Sequence, residues 1–208
     1  MSIIDAIVAH EWAFFGKVQN EGGRANCQDD FSTFEIMRKS QFLCWDADTL
    51  SCYLADLQTA QRLGRNLIQE KYARMMVSTA PEQYATFAHT LPALSPAQQA
   101  QIERIVTQQL IWREAFARDY PHMSSQARLI RTAEDTPYET SFETYLRGEL
   151  GTYSEATLQA YGRLVDLYVS IGRNLTTMTM GQSAKLYGYP DLDTAENRLR
   201  ETEDRSTS

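Results

Sequence analysis

Residues 33–67, TFEIMRKSQFLCWDADTLSCYLADLQTAQRLGRNL, and residues 141–175, SFETYLRGELGTYSEATLQAYGRLVDLYVSIGRNL, are two versions of one sequence. They align without a gap at an offset of 108 positions, which takes Phe34 to Phe142 and Asn66 to Asn174. Nine of the 35 aligned positions are identical, whereas unrelated sequences of average composition would share roughly two. The sequence therefore predicts an internal duplication whose two copies pack about a pseudo-twofold axis and frame one shared cleft.

Helix start and stop residues surround both copies. Ser95-Pro96 is an N-cap followed by proline, and Gly64 and Gly172 stand where a helix would end. No segment alternates with the two-residue period of a strand. We therefore expect an all-α, internally duplicated helical bundle, with repeat one over about 1–92, repeat two over about 93–190, and a C-terminal helix and disordered tail over 191–208. Helices are predicted at about 3–19, 32–45, 66–79, 96–118, 140–149, 154–171 and 174–187. A further helix capped by Asp46 or Asp48 is predicted to end at residue 63, a short helix is predicted after Pro81, and a loop is predicted at 119–138.

Composition excludes some classes of partner. The net charge of −7 and the scattered arginines argue against a nucleic-acid-binding protein, which needs a basic surface. No run of apolar residues is long enough to cross a membrane, and the N-terminal residues do not resemble a signal peptide. Three cysteines without metal-binding spacing fit a reducing compartment. We expect a cytoplasmic protein with a small-molecule ligand, and a homodimer is compatible with the sequence.

Two polar loops precede the duplicated helices. Residues 20–30 contain Arg24, and residues 128–137 contain Arg131, each within a few positions of carboxylates. Long polar loops between packed helices are often functional, so we expect both arginines to contact carboxylates near the cleft. The alternative is that these pairs only pin the loops to the bundle.

The duplicated helices carry matched charged pairs. Glu35 and Lys39, like Glu143 and Arg147, are four residues apart and would share a helix face. If both faces line the cleft, a zwitterionic ligand would fit, with its carboxylate on Arg147 or Arg38 and its ammonium on Glu35 or Glu143. Aromatic residues such as Trp12 would line the same pocket. The alternative is a pair of surface ion pairs inherited from the duplication.

The differences between the copies point to the second one for chemistry. Tyr145 replaces Met37 and Glu149 replaces Gln41, which makes the second copy more acidic and adds a phenol. Tyr145, Arg147 and Glu149 are therefore the candidate acid/base residues. In an apolar cleft the pKa of Glu149 would be raised, as a general base requires. Glu149→Gln would then abolish activity or ligand binding while leaving the fold intact.

Metal and cofactor sites have weaker support. His10, His89 and His122 do not form a Glu-x-x-His pattern, so no metal is assigned. Cys27 has no histidine near it in sequence to act as a base, and Lys71 is expected at the surface. The sequence identifies no cofactor. A carboxylate-only magnesium or manganese site stays open for Glu11, Glu21, Glu35 and Glu143.

Long polar motifs carry a family resemblance that covers nearly the whole chain to about Tyr189. The chain resembles the domain of unknown function family 4125 of mostly bacterial proteins, for which the resemblance implies no activity. Two function classes follow from the residues: a small-molecule enzyme or binder using the inter-repeat cleft, with an amino acid or amine as candidate ligand, and a helical interaction or homo-oligomeric scaffold without catalysis. The motifs are Glu11-Trp12-Ala13-Phe14-Phe15, Asn20-Glu21-Gly22-Gly23-Arg24-Ala25, Cys27-Gln28-Asp29-Asp30, Thr33-Phe34, Ile36-Met37-Arg38-Lys39-Ser40-Gln41-Phe42 and Glu139-Thr140-Ser141-Phe142-Glu143-Thr144-Tyr145-Leu146-Arg147-Gly148-Glu149-Leu150.

Overall fold

The computed structural model of the chain describes residues 1–19 and 23–206, which form helices and turns without a strand. The predicted all-α class is confirmed. Short 3-10 helices occur at Asn26–Asp29, Ala88–Thr90 and Thr132–Glu134. The α-helices of the described ranges are α1 (Ile3–Phe15), α2 (Phe31–Phe42), α3 (Ala47–Arg62), α4 (Leu67–Thr79), α5 (Pro81–Phe87), α6 (Pro96–Asp119), α7 (Pro121–Ser125), α8 (Phe142–Leu150), α9 (Glu155–Ser170), α10 (Leu175–Leu186) and α11 (Leu192–Ser206).

Local side chains set the ends of the central helices. Asn66 caps α4 by accepting hydrogen bonds from the backbone N–H groups of Ile68 and Gln69, and Asn174 caps α10 by accepting from the backbone N–H of Thr177. Gly64 and Gly172 connect the preceding helices to these caps with φ angles of +67° and +66°. Only glycine adopts this left-handed conformation without strain, so the Gly-Arg-Asn sequence makes the same sharp turn in both places.

The helices surround a large hydrophobic core, and a second, smaller cluster consists of Phe116, Met123, Ala184, Leu192 and Ala195. Helix α1 packs against α2, α3 and α4, and α6 packs against α8, α9 and α10. Three further contacts join these groups, since α3 packs on α9, α4 on α8, and α2 on α10. Buried side chains from both groups, including Ile7, Leu57, Ile105 and Leu158, belong to the same cluster. Helices α1–α4, α6 and α8–α10 therefore share one large core.

Three details of the predicted helices were wrong: the end of the first helix, the loop after α6, and the start of the disordered tail. Helix α1 ends at Phe15 rather than residue 19, because the Gln28 side chain donates hydrogen bonds to the carbonyl oxygens of Phe15 and Val18 and folds the loop back. The expected loop over 119–138 contains α7. This helix is held in place by Glu196 of α11, whose carboxylate accepts hydrogen bonds from two backbone N–H groups of α7. Helix α11 continues through Asp204 and Arg205, which were expected to be disordered. Residues 207 and 208 lie outside the described residues.

Candidate functional site

Four charged side chains from four helices meet in the core and form what we call the buried charge network. Its members are Glu11, Arg38, Lys71 and Glu149, whose side chains are at most 8% exposed. Arg38 donates to both oxygens of Glu11 at 2.6 Å, and its Nη2 lies 3.2 Å from Glu149. The ammonium of Lys71 lies 3.5 Å from the other oxygen of Glu149. Two cations and two carboxylates leave no net charge in the network.

Neutral side chains complete the hydrogen bonds of the two carboxylates. Tyr53 donates to Glu11 at 2.7 Å, and Tyr153 donates to Glu149 at 3.0 Å. Gln41 donates to the same Glu149 oxygen at 3.3 Å. Each oxygen of Glu149 thus accepts from at least two donors, counting Arg38 and Lys71. Buried carboxylates are tolerated when their oxygens are satisfied in this way.

This environment reverses the expected pKa of Glu149. Burial by itself would raise that pKa, but the attraction of Arg38 and Lys71 and the hydrogen bonds from Arg38 and Gln41 lower it to about 2. Burial opposes the charge on Arg38 as well, yet the two carboxylates raise its pKa. The expectation of a raised pKa was wrong, because Glu149 lies between two buried cations. A carboxylate held ionised with occupied oxygens is poorly suited to accept a proton.

Lys71 was expected at the surface and is buried instead. Its side chain donates to the hydroxyl of Tyr145 at 2.7 Å, which places Tyr145 at the edge of the buried charge network. The sequence held a signal for this position, because Leu67, Ile68 and Met75 lie three or four residues away and are also buried. The apolar face of α4 therefore includes Lys71.

The predicted pairs within α2 and α8 are present. Glu35 lies 2.9 Å from Lys39, and Glu143 lies 3.0 Å from Arg147. Arg147 also donates to Glu103 of α6 at 2.7 Å. These ion pairs are partly exposed, so they are weaker contributors to stability than the buried charge network. Of the four predicted residues, Arg147 lines the groove described below.

The predicted residues Arg24 and Arg131 hold the polar loops, whereas Trp12 packs between α1 and α2. Arg24 donates to Asp29 at 2.8 Å and to the carbonyl oxygen of Gly16, and Arg131 donates to Glu114. The expected carboxylate partners are confirmed, although both guanidinium groups are about half exposed and contact their own loop or a neighbouring helix. Trp12 is half buried in an aromatic cluster whose other members are Phe15, Phe31 and Phe34.

The carboxylates considered for a metal do not converge. Glu11 binds Arg38, whereas Glu35 and Glu143 bind separate cations, and Glu21 lies outside the described residues. Within residues 1–19 and 23–206 no three histidine, cysteine, aspartate or glutamate side chains are grouped so as to hold a metal ion. Cys27 is an exposed free thiol.

A groove of about 620 Å³ lies between α4 and α5 on one side and α6 and α8 on the other. Its walls combine Arg74 and Arg147 with apolar side chains such as Val77, Leu94 and Ile102. Arg74 donates through Nη2 to the carbonyl oxygen of Pro92 at 2.6 Å, while its Nε is buried and without a hydrogen-bond partner. Burial lowers the pKa of Arg74. No described acidic side chain forms an ion pair with it.

Gly148 of α8 and Gly151, the C-cap residue of that helix, shape this groove. A Cβ atom at Gly151 would lie 2.8 Å from Cδ of Arg74, and one at Gly148 would lie 2.9 Å from Cγ of Met75 and 3.0 Å from the carbonyl oxygen of Lys71. Helix α4 can therefore pack closely against α8 because Gly148 and Gly151 have no side chains. Sequence reasoning missed Arg74, although the glycine pair three residues apart marked this close contact.

The fold and site define an all-α protein with a neutral buried charge network and an arginine-lined groove beside it. The chain belongs to the family described as Protein of unknown function (DUF4125), whose model matches residues 1–197, and the predicted resemblance is confirmed. No curated protein and no solved structure matches the chain. Among the described helices, none is both long and apolar enough to pass through a membrane.

Proposed function

We propose that this protein binds a small molecule that carries a carboxylate and an apolar body, in the groove between α4, α5, α6 and α8. The observation that carries the proposal is the buried, unpaired Nε of Arg74 on the groove wall. A buried donor without a partner costs free energy, and a ligand carboxylate would supply the missing acceptor. Guanidinium groups bind carboxylates through two parallel hydrogen bonds.

The dimensions and walls of the groove support this ligand class. Its volume of about 620 Å³ falls within the range of small-molecule sites. Val77, Leu94 and Ile102 offer apolar contacts, so a ligand of one carboxylate and a hydrophobic body matches the groove. Arg147 is already balanced by Glu103 and Glu143. Arg74 is therefore the cation available to the ligand.

We also propose that the predicted duplication produces a pseudo-twofold bundle. Helices α3 and α9 have 16 residues each, and their bounds differ by the sequence offset of 108. Helices α2 and α8 end at positions related by the same offset. The contact of α4 with α8 has a counterpart in the contact of α10 with α2.

Side-chain contacts repeat with the same relation. Asn66 donates to the carbonyl oxygen of Phe14, and Asn174 donates to that of Trp112. This correspondence pairs α1 with α6. Their offset is 98 rather than 108, because the connection from α1 to α2 is shorter than the connection from α6 to α8. The same two offsets relate Lys39, which binds Asp5 and Glu35, to Arg147, which binds Glu103 and Glu143. They also relate the Tyr53–Glu11 contact to the Tyr161–Gln109 contact.

On this proposal the groove lies between the two repeats, and no matching groove is expected at the position related to it by the pseudo-twofold axis. Gly148 and Gly151 align with Ser40 and Leu43 of the first copy, where side chains would fill the corresponding space. Arg147 lines the ligand site and Glu143 positions it. We propose that Glu149 and Arg38 have a structural role, because they hold four helices together in the buried charge network. Tyr145 lies at the edge of that network. We assign none of these three residues to acid/base chemistry.

The test is ligand-induced stabilisation measured by thermal unfolding with benzoate, phenylacetate and L-phenylalanine. At about 100 times the Kd, a bound ligand stabilises the protein by about 2.7 kcal/mol. We expect at least one probe to raise the melting temperature of the wild type and to have no such effect on Arg74→Met. Benzamide is the matched ligand control without the carboxylate. Arg62→Met is the control variant, because Arg62 is exposed and does not line the groove.

Two results would refute the groove assignment: no stabilisation by any carboxylate, or equal stabilisation of the wild type and Arg74→Met. Either result would favour the interaction scaffold, whose test is the oligomeric state in solution. A cytoplasmic location is part of the proposal, because Cys27, Cys44 and Cys52 are all free thiols, as expected in a reducing compartment. A homodimer stays a prediction.

A further inference from the structure

Arg113 of α6 is a buried cation without a counter-charge. The residue is 4% exposed, and its Nε is buried with no hydrogen-bond partner. Across the described ranges, no carboxylate forms an ion pair with Arg113 and no other group accepts a hydrogen bond from it. Its contact of note is with the ring of Phe116, whose centroid lies 5.7 Å from the guanidinium carbon.

Such a group is costly to the fold. Charged side chains are buried when they are paired and hydrogen-bonded, and an unpaired buried cation pays for its lost hydration without compensation. Burial lowers the pKa of Arg113, and no neighbouring charge opposes that shift. The offset of 98 that relates α6 to α1 places Phe15, a buried aromatic residue, at the matching position. An apolar side chain thus fits this position in one half of the molecule.

The polar neighbours of Arg113 on α6 already have partners. Glu114 accepts from Arg131, and Gln109 donates to the hydroxyl of Tyr161 at 2.6 Å. Neither side chain accepts a hydrogen bond from Arg113, so its Nε–H has no acceptor among the described residues.

We infer that Arg113 binds an oxyanion with two acceptor oxygens, such as a carboxylate or a phosphate group, at a site distinct from the Arg74 groove. The planar guanidinium matches the paired oxygens of these anions. The groove is lined by α6 at Ile102 and Glu103, about ten residues or roughly 15 Å along the helix from Arg113. The inference stands on Arg113 alone, so it survives if the groove binds nothing.

The experiment compares wild type, Arg113→Met and Arg118→Met by thermal unfolding at constant ionic strength in chloride, in acetate and in inorganic phosphate. Methionine keeps an unbranched apolar stem and removes the charge. Arg118 lies on the same helix and is exposed, so its variant controls for general anion effects. In chloride we expect Arg113→Met to melt at a higher temperature than the wild type, because an unpaired buried charge has been removed.

Acetate or phosphate should stabilise the wild type and Arg118→Met, and this shift should be lost in Arg113→Met. Stabilisation by phosphate alone would indicate a phosphate-bearing ligand, and stabilisation by acetate would indicate a carboxylate. When Arg113→Met folds, anion effects equal to those on the wild type would overturn the inference, and so would a melting temperature in chloride below that of the wild type. Should that variant fail to fold, nitrogen NMR of the Arg113 Nε–H in the wild type decides, since an unchanged resonance on titration with both anions rejects the site.

Discussion

Replacing Glu149 by glutamine removes one charge from the buried charge network with little change of shape. Arg38 keeps its two bonds to Glu11, whereas Lys71 loses its carboxylate partner and keeps the neutral hydroxyl of Tyr145. Removing one partner from a buried ion pair costs about 3–5 kcal/mol. The lowering of the Glu149 pKa from 4.5 to about 2 corresponds to about 3 kcal/mol at 1.36 kcal/mol per pKa unit. We therefore expect Glu149→Gln to lose about 3 kcal/mol.

Chemical denaturation at neutral pH measures this loss, and thermal unfolding should show a decrease of about 6–12 °C for a domain of this size. The pH dependence gives a second measurement. Because the folded pKa of Glu149 is below its unfolded value, its contribution is complete above pH 4.5 and is lost as the pH falls toward 2. The stability difference between the wild type and Glu149→Gln should therefore shrink over that window.

Glu35→Gln is the matched control, since Glu35 forms a partly exposed ion pair with Lys39 and such pairs contribute about 0.3–0.5 kcal/mol. If Glu149→Gln and Glu35→Gln lower the melting temperature equally, within about 2 °C, the buried charge network does not stabilise the fold as argued. A stable Glu149→Gln variant that loses ligand binding would return Glu149 to the catalytic role that the sequence suggested.

Two further predictions use matched pairs of residues. Tyr53→Phe should lower the free energy of unfolding by about 1.5–3 kcal/mol and Tyr161→Phe by about 0.5–1.5 kcal/mol. The difference arises because Tyr53 donates to the charged Glu11, whereas Tyr161 accepts from neutral Gln109. Urea denaturation measures both losses, and equal losses would contradict the assignment. Gly148→Ala should destabilise by about 1–3 kcal/mol, since its Cβ would press on the α4 backbone. Gly181→Ala should gain about 0.5–1 kcal/mol, because its Cβ would meet nothing closer than 4.0 Å. Thermal unfolding of both alanine variants checks this, and a Gly148→Ala protein as stable as the wild type would reject the close packing of α4 on α8.

Local interactions explain what could be predicted from the sequence. Helix caps and the i, i+4 pairs of Glu35 with Lys39 and Glu143 with Arg147 depend on residues within one turn of each other. These features need only helical periodicity and capping chemistry, so they were readable from the sequence.

The buried charge network could not be derived in that way. Arg38 is 27 positions from Glu11 and 111 from Glu149, and Lys71 is 78 from Glu149. Such contacts depend on which faces of four helices meet, and this is a tertiary property. The expected pKa of Glu149 failed for the same reason, because it assumed an apolar cleft where two cations stand. Helix α7 was missed because its N-terminal N–H groups are satisfied by Glu196, more than 70 positions later.

The contact between Gln41 and Glu149 has a consequence for how this fold could arise. These side chains occupy equivalent places in the two copies and touch each other at 3.3 Å, so on the proposed axis each position meets its own counterpart. In a symmetric pair of identical second halves, two carboxylates would face each other and repel, whereas two first halves would set amide against amide and leave Glu11 as the one carboxylate bound to each Arg38. If the proposed duplication is right, joining the halves in one polypeptide allows a single negative charge to lie at the proposed axis, an arrangement that symmetry forbids to a homodimer of either half.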